Sequence, residues 1–449
     1  MTVWITCLIA ALNTAAPTDA DPAGEARQAL ARATQYLTSL ATHGGYLWEY
    51  TLDLKQRWGE GVATDTQVWV QPPGTPAVGL ALLRAWQVTG DESIRRAAEA
   101  AGDALVWGQL ECGGWDYKID FSPQAEKQWY YRHLKGTEGL DTSKLRNRGT
   151  FDDDTSQSAT SFLIALSQAT GEARFREAAD YALAYLLRAQ YDNGGWPQWY
   201  PLGSGYSVYC TFNDAAMNDI LAVLVQAWRA FAEREYLDAA RRGGDFILRS
   251  QGPAPQAGWA QQYNLDLQPA WARKFEPPSW CSAVTARNIR TLVDLYLETG
   301  EARYLEPIPA ATEWLKASRL ADGEWARFYE LGSNRPLYFT RDYRLTYDGD
   351  DCPTHYSFRG GYGVPGAIAY YEQVTEAGRQ GYLRGLEAQR GRAVRPDRAR
   401  QMEARVGDAL AGQDEQGRWV QGDRVVMQDF LRHIRLLTEY LECHAVMEP

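Results

Sequence analysis

Two stretches of this sequence place carboxylates where a helix is expected to begin. The stretch "TFDDDTSQSA" at 150–159 has three aspartates in a row, and "TFNDAAM" at 211–217 repeats the Thr-Phe start. One or two acidic residues at a helix entrance cap the helix and suit its dipole. Three in a row exceed what capping needs, and carboxylate oxygens are ligands of Ca²⁺. The echo predicts that the two helix starts are neighbours and present Asp152, Asp153 and Asp214 to one cation.

Two further stretches carry basic residues among aromatics and prolines. In "WARKFEPPSW" at 271–280, a double proline follows Arg273 and Lys274 and would hold them on a rigid, extended segment. The stretch "WARFYELGSNRPLYFTRDYRLTYD" at 325–348 has four arginines between aromatic residues. Either stretch could be an ordinary surface loop, the first with an Arg–Glu pair. Arginines in this setting also fit a bidentate grip on carboxylates. The four arginines are Arg327, Arg335, Arg341 and Arg344.

A repeat predicts the elements that position these residues. "HGGYLWEYTLDL" (43–54), "CGGWDYKIDF" (112–121) and "NGGWPQWYPL" (193–202) are versions of one unit, with weaker echoes further along the chain. The segments between them have apolar residues three and four apart, which indicates helices. Almost nothing alternates with a period of two. We therefore predict an all-α toroid of antiparallel helix pairs, with the glycine-aromatic loops lining a cleft at one end.

Composition and charge limit the possible functions. A net charge of −11 argues against a general nucleic-acid binder, although a local arginine cluster or a bound cation still permits an anionic substrate. The histidines have no zinc-ligand spacing, and no serine nucleophile elbow or phosphate-binding glycine loop occurs. The apolar run Val3–Leu12 is typical of a secretory signal peptide, expected over 1–20, and is too short to span a membrane. We expect a secreted or periplasmic monomer without a membrane span.

The four polar stretches, in this order, resemble those of the family 10 pectate lyases. These are α/α-toroid enzymes that cleave polygalacturonate by Ca²⁺-assisted β-elimination. "GGWDYKIDF" (113–121), "GGWPQWYPL" (194–202) and "ARKFEPPS" (272–279) also match. The resemblance covers about residues 110–360. Residues 21–110 look like an added repeat of the same kind, so we expect a toroid domain over 21–375. Residues 376–449 have no counterpart in the family pattern and are expected to form a helical extension.

The resemblance also implies roles for individual residues. The catalytic arginine, which acts as the Brønsted base, falls on Arg273. The calcium-binding aspartates fall on Asp152 and Asp214, with Asp153 beside them. The substrate carboxylates would meet basic side chains, and aromatic side chains would form a platform for the sugar. The residues implied in substrate binding are Arg327, Arg335, Arg341, Lys274, Trp196 and Tyr200.

Departures from the family pattern leave other functions open. The run Asp152–Asp154 replaces an expected Asp-Asn pair, and Trp280-Cys281 replaces small residues after "EPPS". Either change could shift the substrate or abolish catalysis. The alternatives are therefore a non-catalytic polyuronate-binding toroid and a toroid glycosidase with two catalytic carboxylates. A terpene cyclase is a third alternative, because "QLECGGW" and "QYDNGGW" fit a Gln-x₃-Gly-x-Trp repeat. Those enzymes need Asp-x-Asp-Asp, whereas here Phe151 occupies the first position.

Overall fold

The chain folds into helix pairs joined by short strands. The computed structural model describes residues 21–390 and 396–444, so the predicted signal peptide at 1–20 lies outside the described residues. The helices are α1 (Pro22–Leu40), α2 (Thr75–Thr89), α3 (Glu92–Gly108), α4 (Thr155–Thr170), α5 (Ala173–Ala189), α6 (Ala216–Phe231), α7 (Arg234–Ser250), α8 (Ser282–Thr299), α9 (Ile308–Ala317), α10 (Val364–Arg390), α11 (Pro396–Gly412) and α12 (Met427–His444).

The strands are two to four residues long. They are β1 (Glu49–Thr51), β2 (Arg57–Trp58), β3 (Gln67–Trp69), β4 (Lys118–Asp120), β5 (Gly149–Thr150), β6 (Trp199–Tyr200), β7 (Cys210–Thr211), β8 (Gln262–Tyr263), β9 (Trp280–Cys281), β10 (Trp325–Ala326), β11 (Phe328–Tyr329), β12 (Pro336–Phe339), β13 (Leu345–Thr346), β14 (Arg359–Gly360) and β15 (Arg424–Val426).

A recurring Thr-Gly-acid sequence turns the chain between paired helices. The glycine ends its helix in the left-handed conformation, with φ of 70°, 73° and 76° at Gly90, Gly171 and Gly300. At each corner the preceding threonine hydroxyl accepts a hydrogen bond of 3.2 to 3.3 Å from the N–H of the acidic residue. Only glycine adopts this backbone at little cost, so the sequence determines where each hairpin turns.

The helix pairs close into a ring, as predicted. α2 packs on α4, α4 on α6, α6 on α8 and α8 on α10. α12 packs on α1 and α2, and β15 pairs antiparallel with β1, so the end of the described chain meets its beginning. The fold is an α/α toroid. The prediction that residues 376–449 are an extension of the toroid is wrong, because α12 and β15 complete the ring.

The tryptophans of the glycine-aromatic loops hold the helices together. Five of them have side chains at most 5% exposed. Each donates its indole N–H to a backbone carbonyl of the helix that precedes its loop, over 2.7 to 2.9 Å. A buried indole needs such a partner, and these bonds fix the depth at which each loop enters the ring. The five are Trp115, Trp196, Trp259, Trp325 and Trp419.

A glutamine that follows the second helix of a pair connects neighbouring repeats. The amide of Gln109 donates to Gly113 O and to Ala178 O of α5, both at 3.0 Å. Gln190 and Gln251 make equivalent pairs of bonds. Gln413 donates to Ala29 O of α1 at 2.9 Å, which links the last repeat to the first helix. The Gln-x₃-Gly-x-Trp repeat is thus accounted for by toroid packing.

Short strands join the loops at one end of the ring. β5 pairs antiparallel with β6, and β7 pairs with β8. β5 and β7 each lead directly into an acidic stretch. Each stretch is therefore fixed to the loop of the following repeat, which places both of them at the predicted cleft.

Within residues 21–390 and 396–444, each helix is too short or too polar to cross a bilayer. Cys112, Cys210, Cys281 and Cys352 form no disulfide. The toroid is therefore stabilised by its packed helices and loop hydrogen bonds.

Ring closure by α12 predicts that its buried face stabilises the whole toroid. Leu437 is completely buried on α12. Leu437→Ala should lower the free energy of unfolding by about 2–5 kcal/mol in urea titrations followed by tryptophan fluorescence. The exposed Gln428 on the same helix provides the control, since Gln428→Ala should change stability by less than about 0.5 kcal/mol. A separate transition for the C-terminal helices, with the main transition unchanged, would contradict ring closure.

Candidate active site

The two acidic stretches have the same backbone conformation. The hydroxyl of Thr150 accepts a 3.0 Å hydrogen bond from the N–H of Asp152, and that of Thr211 accepts one of the same length from Asn213. The following residues, Asp153 and Asp214, have left-handed backbones with φ of 50° and 45°. Such conformations are uncommon outside glycine, but aspartate tolerates them. The repeated Thr-Phe sequence thus forms the same tight turn twice, immediately before α4 and before α6.

These turns bring the three predicted aspartates together. Asp152, Asp153 and Asp214 each contribute a carboxylate oxygen, and these oxygens all lie within 4.8 Å of one another. Oxygens bound to one Ca²⁺ at about 2.3–2.6 Å have separations in this range. The buried Oδ1 of Asp152 and the buried Oδ1 of Asn213 have no hydrogen-bond partner among the described residues. The donor set and the unsatisfied oxygens fit a hard divalent cation.

Burial and repulsion between carboxylates raise the pKa values of Asp152 and Asp153. The pKa of Asp152 is raised to about 6, first by burial and then by the charge of Asp214. A 2.9 Å hydrogen bond from the hydroxyl of Tyr117 to Asp152 Oδ2 partly offsets this rise. The pKa of Asp153 is raised to about 7 by burial and by the charges of Asp152 and Asp214. A cation would relieve the same repulsion that favours protonation here.

Arg273 lies beside the cluster and is paired with Glu276. Its charge lowers the pKa values of Asp152 and Asp153, which places the guanidinium within electrostatic range of both. Its Nη2 donates to Glu276 Oε1 at 2.6 Å, and its backbone N–H donates to Oε2 at 3.0 Å. Burial lowers the pKa of Arg273, but the ion pair with Glu276 raises it further, so the net shift is upward. In this arrangement Arg273 is a fixed positive charge.

Glu276 is the centre of a buried polar network. Its side chain is almost fully buried and accepts a 2.7 Å hydrogen bond from the Gln261 amide. The Tyr356 hydroxyl donates to the same Oε1 at 3.2 Å. The sequence indicated an Arg–Glu pair only as the ordinary alternative of a surface loop. The structure contains that pair with its carboxylate in the interior, where it orients Arg273.

The other predicted basic residues lie in different surroundings. Arg327 is mostly buried, stacks over the Tyr356 ring at 4.4 Å and is within electrostatic range of Asp214. Arg335 stacks at 3.4 Å over Tyr347. Arg335 and Arg341 flank β12 at opposite ends. The remaining basic residues are exposed: Lys274 lies 6.0 Å from the Tyr343 ring, Arg341 pairs with Asp351 at 3.3 Å, and Arg344 pairs with Asp342.

The prediction of a sugar platform is wrong for Trp196, whereas Tyr200 is partly exposed. Trp196 is completely buried and donates to Leu186 O at 2.8 Å, so its ring is not available to a ligand. It belongs to the set of structural loop tryptophans. Tyr200 is partly exposed, and Trp199 beside it packs edge-on against Tyr117, the hydrogen-bond partner of Asp152. Trp199 is therefore the loop tryptophan on the side of the acidic cluster.

Two contributors to the site were not found from the sequence. Tyr117 lies in the "GGWDYKIDF" stretch, which marks a repeat and matches the family pattern but gave this tyrosine no role. Tyr356 is about 80 residues from its partner Glu276, and no local pattern connects them. Position in the repeat offered a signal for Tyr117, because the acidic stretches follow the same loops. Tyr356 had no such signal.

Comparisons with known proteins show what the fold and part of the chain resemble. Residues 109–324, just under half of the chain, match the family model described as pectic acid lyase, so this part of the chain is similar to a polysaccharide lyase family. Among solved structures, family 10 polysaccharide lyase from Cellvibrio cellulosa is similar, with 24% identity and a TM-score of 0.51 over 67% of this chain and 97% of that chain. The resemblance identified in the sequence is confirmed.

Two further structures extend the comparison. A mutant of the Cellvibrio cellulosa enzyme in complex with trigalacturonic acid has 24% identity and a TM-score of 0.50, covering 67% of this chain and 98% of that chain. The GH76 α-mannanase from Bacteroides thetaiotaomicron covers 96% of this chain at 12% identity and a TM-score of 0.47, and 98% of its own chain. No curated protein matches. At identities this low, these structures show that the fold is similar and do not identify the reaction.

The raised pKa values predict a pH-dependent response to Ca²⁺. Because the folded pKa values of about 6 and 7 lie above the ordinary value of 3.8, the stability contributed by Asp152 and Asp153 is fully present below about pH 4. It is lost as the pH rises through 6 to 7. In chelator, the Tm of wild type should therefore fall between pH 5 and pH 8 relative to that of Asp153→Asn. Added Ca²⁺ should raise the Tm of wild type more at pH 8 than at pH 5.

Differential scanning calorimetry checks this prediction. Mg²⁺ at the same concentration controls for ionic strength and for general divalent binding, since its smaller ion demands stricter octahedral geometry. An equal Ca²⁺ effect at both pH values would contradict proton competition at the cluster. So would an unchanged Ca²⁺ effect in the Asp152→Asn, Asp214→Asn double variant.

Proposed function

We propose that this protein is a secreted pectate lyase that cleaves polygalacturonate by Ca²⁺-assisted anti β-elimination. The observation that carries the proposal is the convergence of three carboxylates within 4.8 Å beside a fixed arginine, inside the region that matches the pectic acid lyases. The complex of the Cellvibrio cellulosa relative with trigalacturonic acid supports a polyuronate substrate.

The acidic cluster would hold the cation and, through it, a uronate carboxylate. Asp152, Asp153 and Asp214 supply the oxygen ligands, and the Tyr117 hydroxyl orients Asp152 through its hydrogen bond. When bound, Ca²⁺ withdraws charge from the carboxylate and so acidifies the C5 proton of the uronate. Arg327, within electrostatic range of Asp214, adds positive charge next to the cluster.

We propose Arg273 as the arginine that receives the C5 proton, because its charge acts on both Asp152 and Asp153. Departure of the glycosidic oxygen from C4 completes the elimination. The ion pair with Glu276 works against this role, since it stabilises the protonated guanidinium. The alternative base is Arg341, which is solvent-exposed and has a single longer ion pair, 3.3 Å to Asp351. Arg273 would then stabilise the negative charge that develops on the substrate.

Formation of an unsaturated product tests the proposed reaction. The mature protein with polygalacturonate and Ca²⁺ should give increasing ultraviolet absorbance from the new C4–C5 double bond. Chelator should abolish the increase, and Asp214→Asn should reduce the rate at a fixed Ca²⁺ concentration. Reducing ends without ultraviolet absorbance would indicate hydrolysis and support a toroid glycosidase. Binding of polygalacturonate without any cleavage would support a non-catalytic binding toroid.

Kinetics of two arginine variants should separate base from charge stabiliser. If Arg273 is the base, Arg273→Lys should lower kcat by about 10²–10⁴-fold with little change in KM. If Arg273 only stabilises negative charge on the substrate, Arg273→Lys should mainly raise KM. In that case Arg341→Lys should show the loss in kcat. Lysine is preferred to alanine at 273 because alanine would leave the buried Glu276 unpaired, at a cost of about 3–5 kcal/mol in stability.

Arg344→Lys provides the matched control on the same hairpin as Arg341. Arg344 is exposed and paired only locally with Asp342, so its replacement should leave kcat and KM unchanged. Retention of full activity by both Arg273→Lys and Arg341→Lys would contradict an arginine base at either position.

A further inference from the structure

A cavity of about 450 Å³ opens beside the acidic cluster. Asp214 and Phe212 lie on its wall where α6 begins, and three arginines line it together with Tyr362. Arg287 and Arg290 are one turn apart on α8, so they lie on the same face of that helix. The third is Arg327. We call this cavity the arginine well.

The positive charge of the well is only partly compensated within the protein. Among the described residues, Arg287 and Arg290 form no ion pair within 4.0 Å with a carboxylate. Burial raises the pKa values of Asp154 and Asp219, and the charge of Arg287, acting at longer range, partly offsets this rise. Asp294, the carboxylate near Arg290, accepts a 2.7 Å hydrogen bond from the Tyr370 hydroxyl. Both guanidinium groups are exposed to solvent and line the cavity.

The arginine well adjoins a second cavity. A second cavity of about 490 Å³ shares Arg287 and Arg290 with it and reaches Asp294 and Tyr370. These two arginines therefore lie between the cleft and a deeper space between α6, α8 and α10. Cavities of a few hundred Å³ accommodate small organic groups, and two neighbouring guanidiniums suit a planar carboxylate.

We propose that the arginine well binds the carboxylate of a second acidic sugar unit, attached to the unit at the acidic cluster. This inference rests on the proposed function and deepens it, since it concerns which part of an acidic polysaccharide enters the ring. A carboxylate-bearing sugar could reach the well as the terminal unit of a linear chain or as a uronate side branch. In either case Arg287 and Arg290 determine specificity, whereas the acidic cluster and Arg273 carry the reaction.

Binding of a short oligouronide without turnover tests the well. Trigalacturonate is titrated calorimetrically in chelator, where lyase turnover is not expected, into wild type, Arg287→Gln, Arg290→Gln and the double variant. Losing a charge-assisted hydrogen-bond partner should weaken binding by about ten- to a hundredfold for each single variant. Methyl-esterified trigalacturonate has no charge, so it should bind wild type and variants equally. Equal affinity of all variants for the acidic trimer would overturn the proposal.

Control measurements exclude general charge effects. Arg234 on α7 has a side chain that is 80% exposed, and its nearest carboxylate is Asp238 at 3.6 Å. Arg234→Gln removes the same charge away from the well and should leave affinity unchanged. An equal loss of affinity in this control would overturn the proposal, because the effect would then be that of net charge. Inorganic phosphate that binds in the well while trigalacturonate does not would also overturn it.

Product analysis separates the two sources of the sugar unit. If the terminal unit enters the well, linear polygalacturonate should release short products from the start, and Arg287→Gln should change that product pattern. If a side branch enters, Arg287→Gln should reduce the rate only on polymer that carries uronate branches. An active wild type with unaffected Arg287 and Arg290 variants would refute the well while leaving the lyase intact. A wild type that binds the trimer through Arg287 and Arg290 but has no lyase activity would support the well and refute the proposed lyase reaction.

Discussion

The candidate site depends on one electrostatic constraint: three carboxylates are held within 4.8 Å of one another at the beginnings of two helices. Like charges at this separation repel, and the partial burial of Asp152 and Asp153 strengthens the repulsion because less water screens it. The backbone keeps them together through left-handed turns at Asp153 and Asp214, and each turn is fixed by a threonine hydroxyl and by strand pairing to the next loop. An arrangement this unfavourable in isolation is typical of a site that is completed by a cation.

The toroid explains how two segments about 60 residues apart acquire the same conformation. The repeats that carry the two acidic stretches each have a helix, a glutamine, a buried tryptophan and a strand, so both stretches enter the ring at the same height. The helices α4 and α6 pack on each other, which makes the stretches before them adjacent. Convergence of the aspartates therefore follows from the period of the repeat. For this reason the echo of Thr-Phe in the sequence was enough to predict it.

What the sequence did not reveal depends on contacts between distant residues. Trp196 looked like a platform residue because glycine-aromatic loops line a cleft, but the helix carbonyl that its indole meets is visible only in three dimensions. Residues 376–449 were expected to form an extension because the family pattern has no counterpart for them, whereas the apolar stripe of α12 is buried by α1 and α2. Glu276 was noticed as a neighbour of Arg273. Its burial depends on Gln261 and Tyr356, which no local pattern connects to it.

The Arg273–Glu276 pair links positioning to proton affinity. A guanidinium paired with a buried carboxylate has one orientation, which is favourable for holding a reacting group in place. The same pair raises the pKa of Arg273, which is unfavourable for accepting a proton. A cation at the acidic cluster would act in the opposite direction, because it neutralises most of the negative field of Asp152 and Asp214. The protonation of Arg273 is therefore set by a balance between Glu276 on one side and the charge of the occupied cluster on the other.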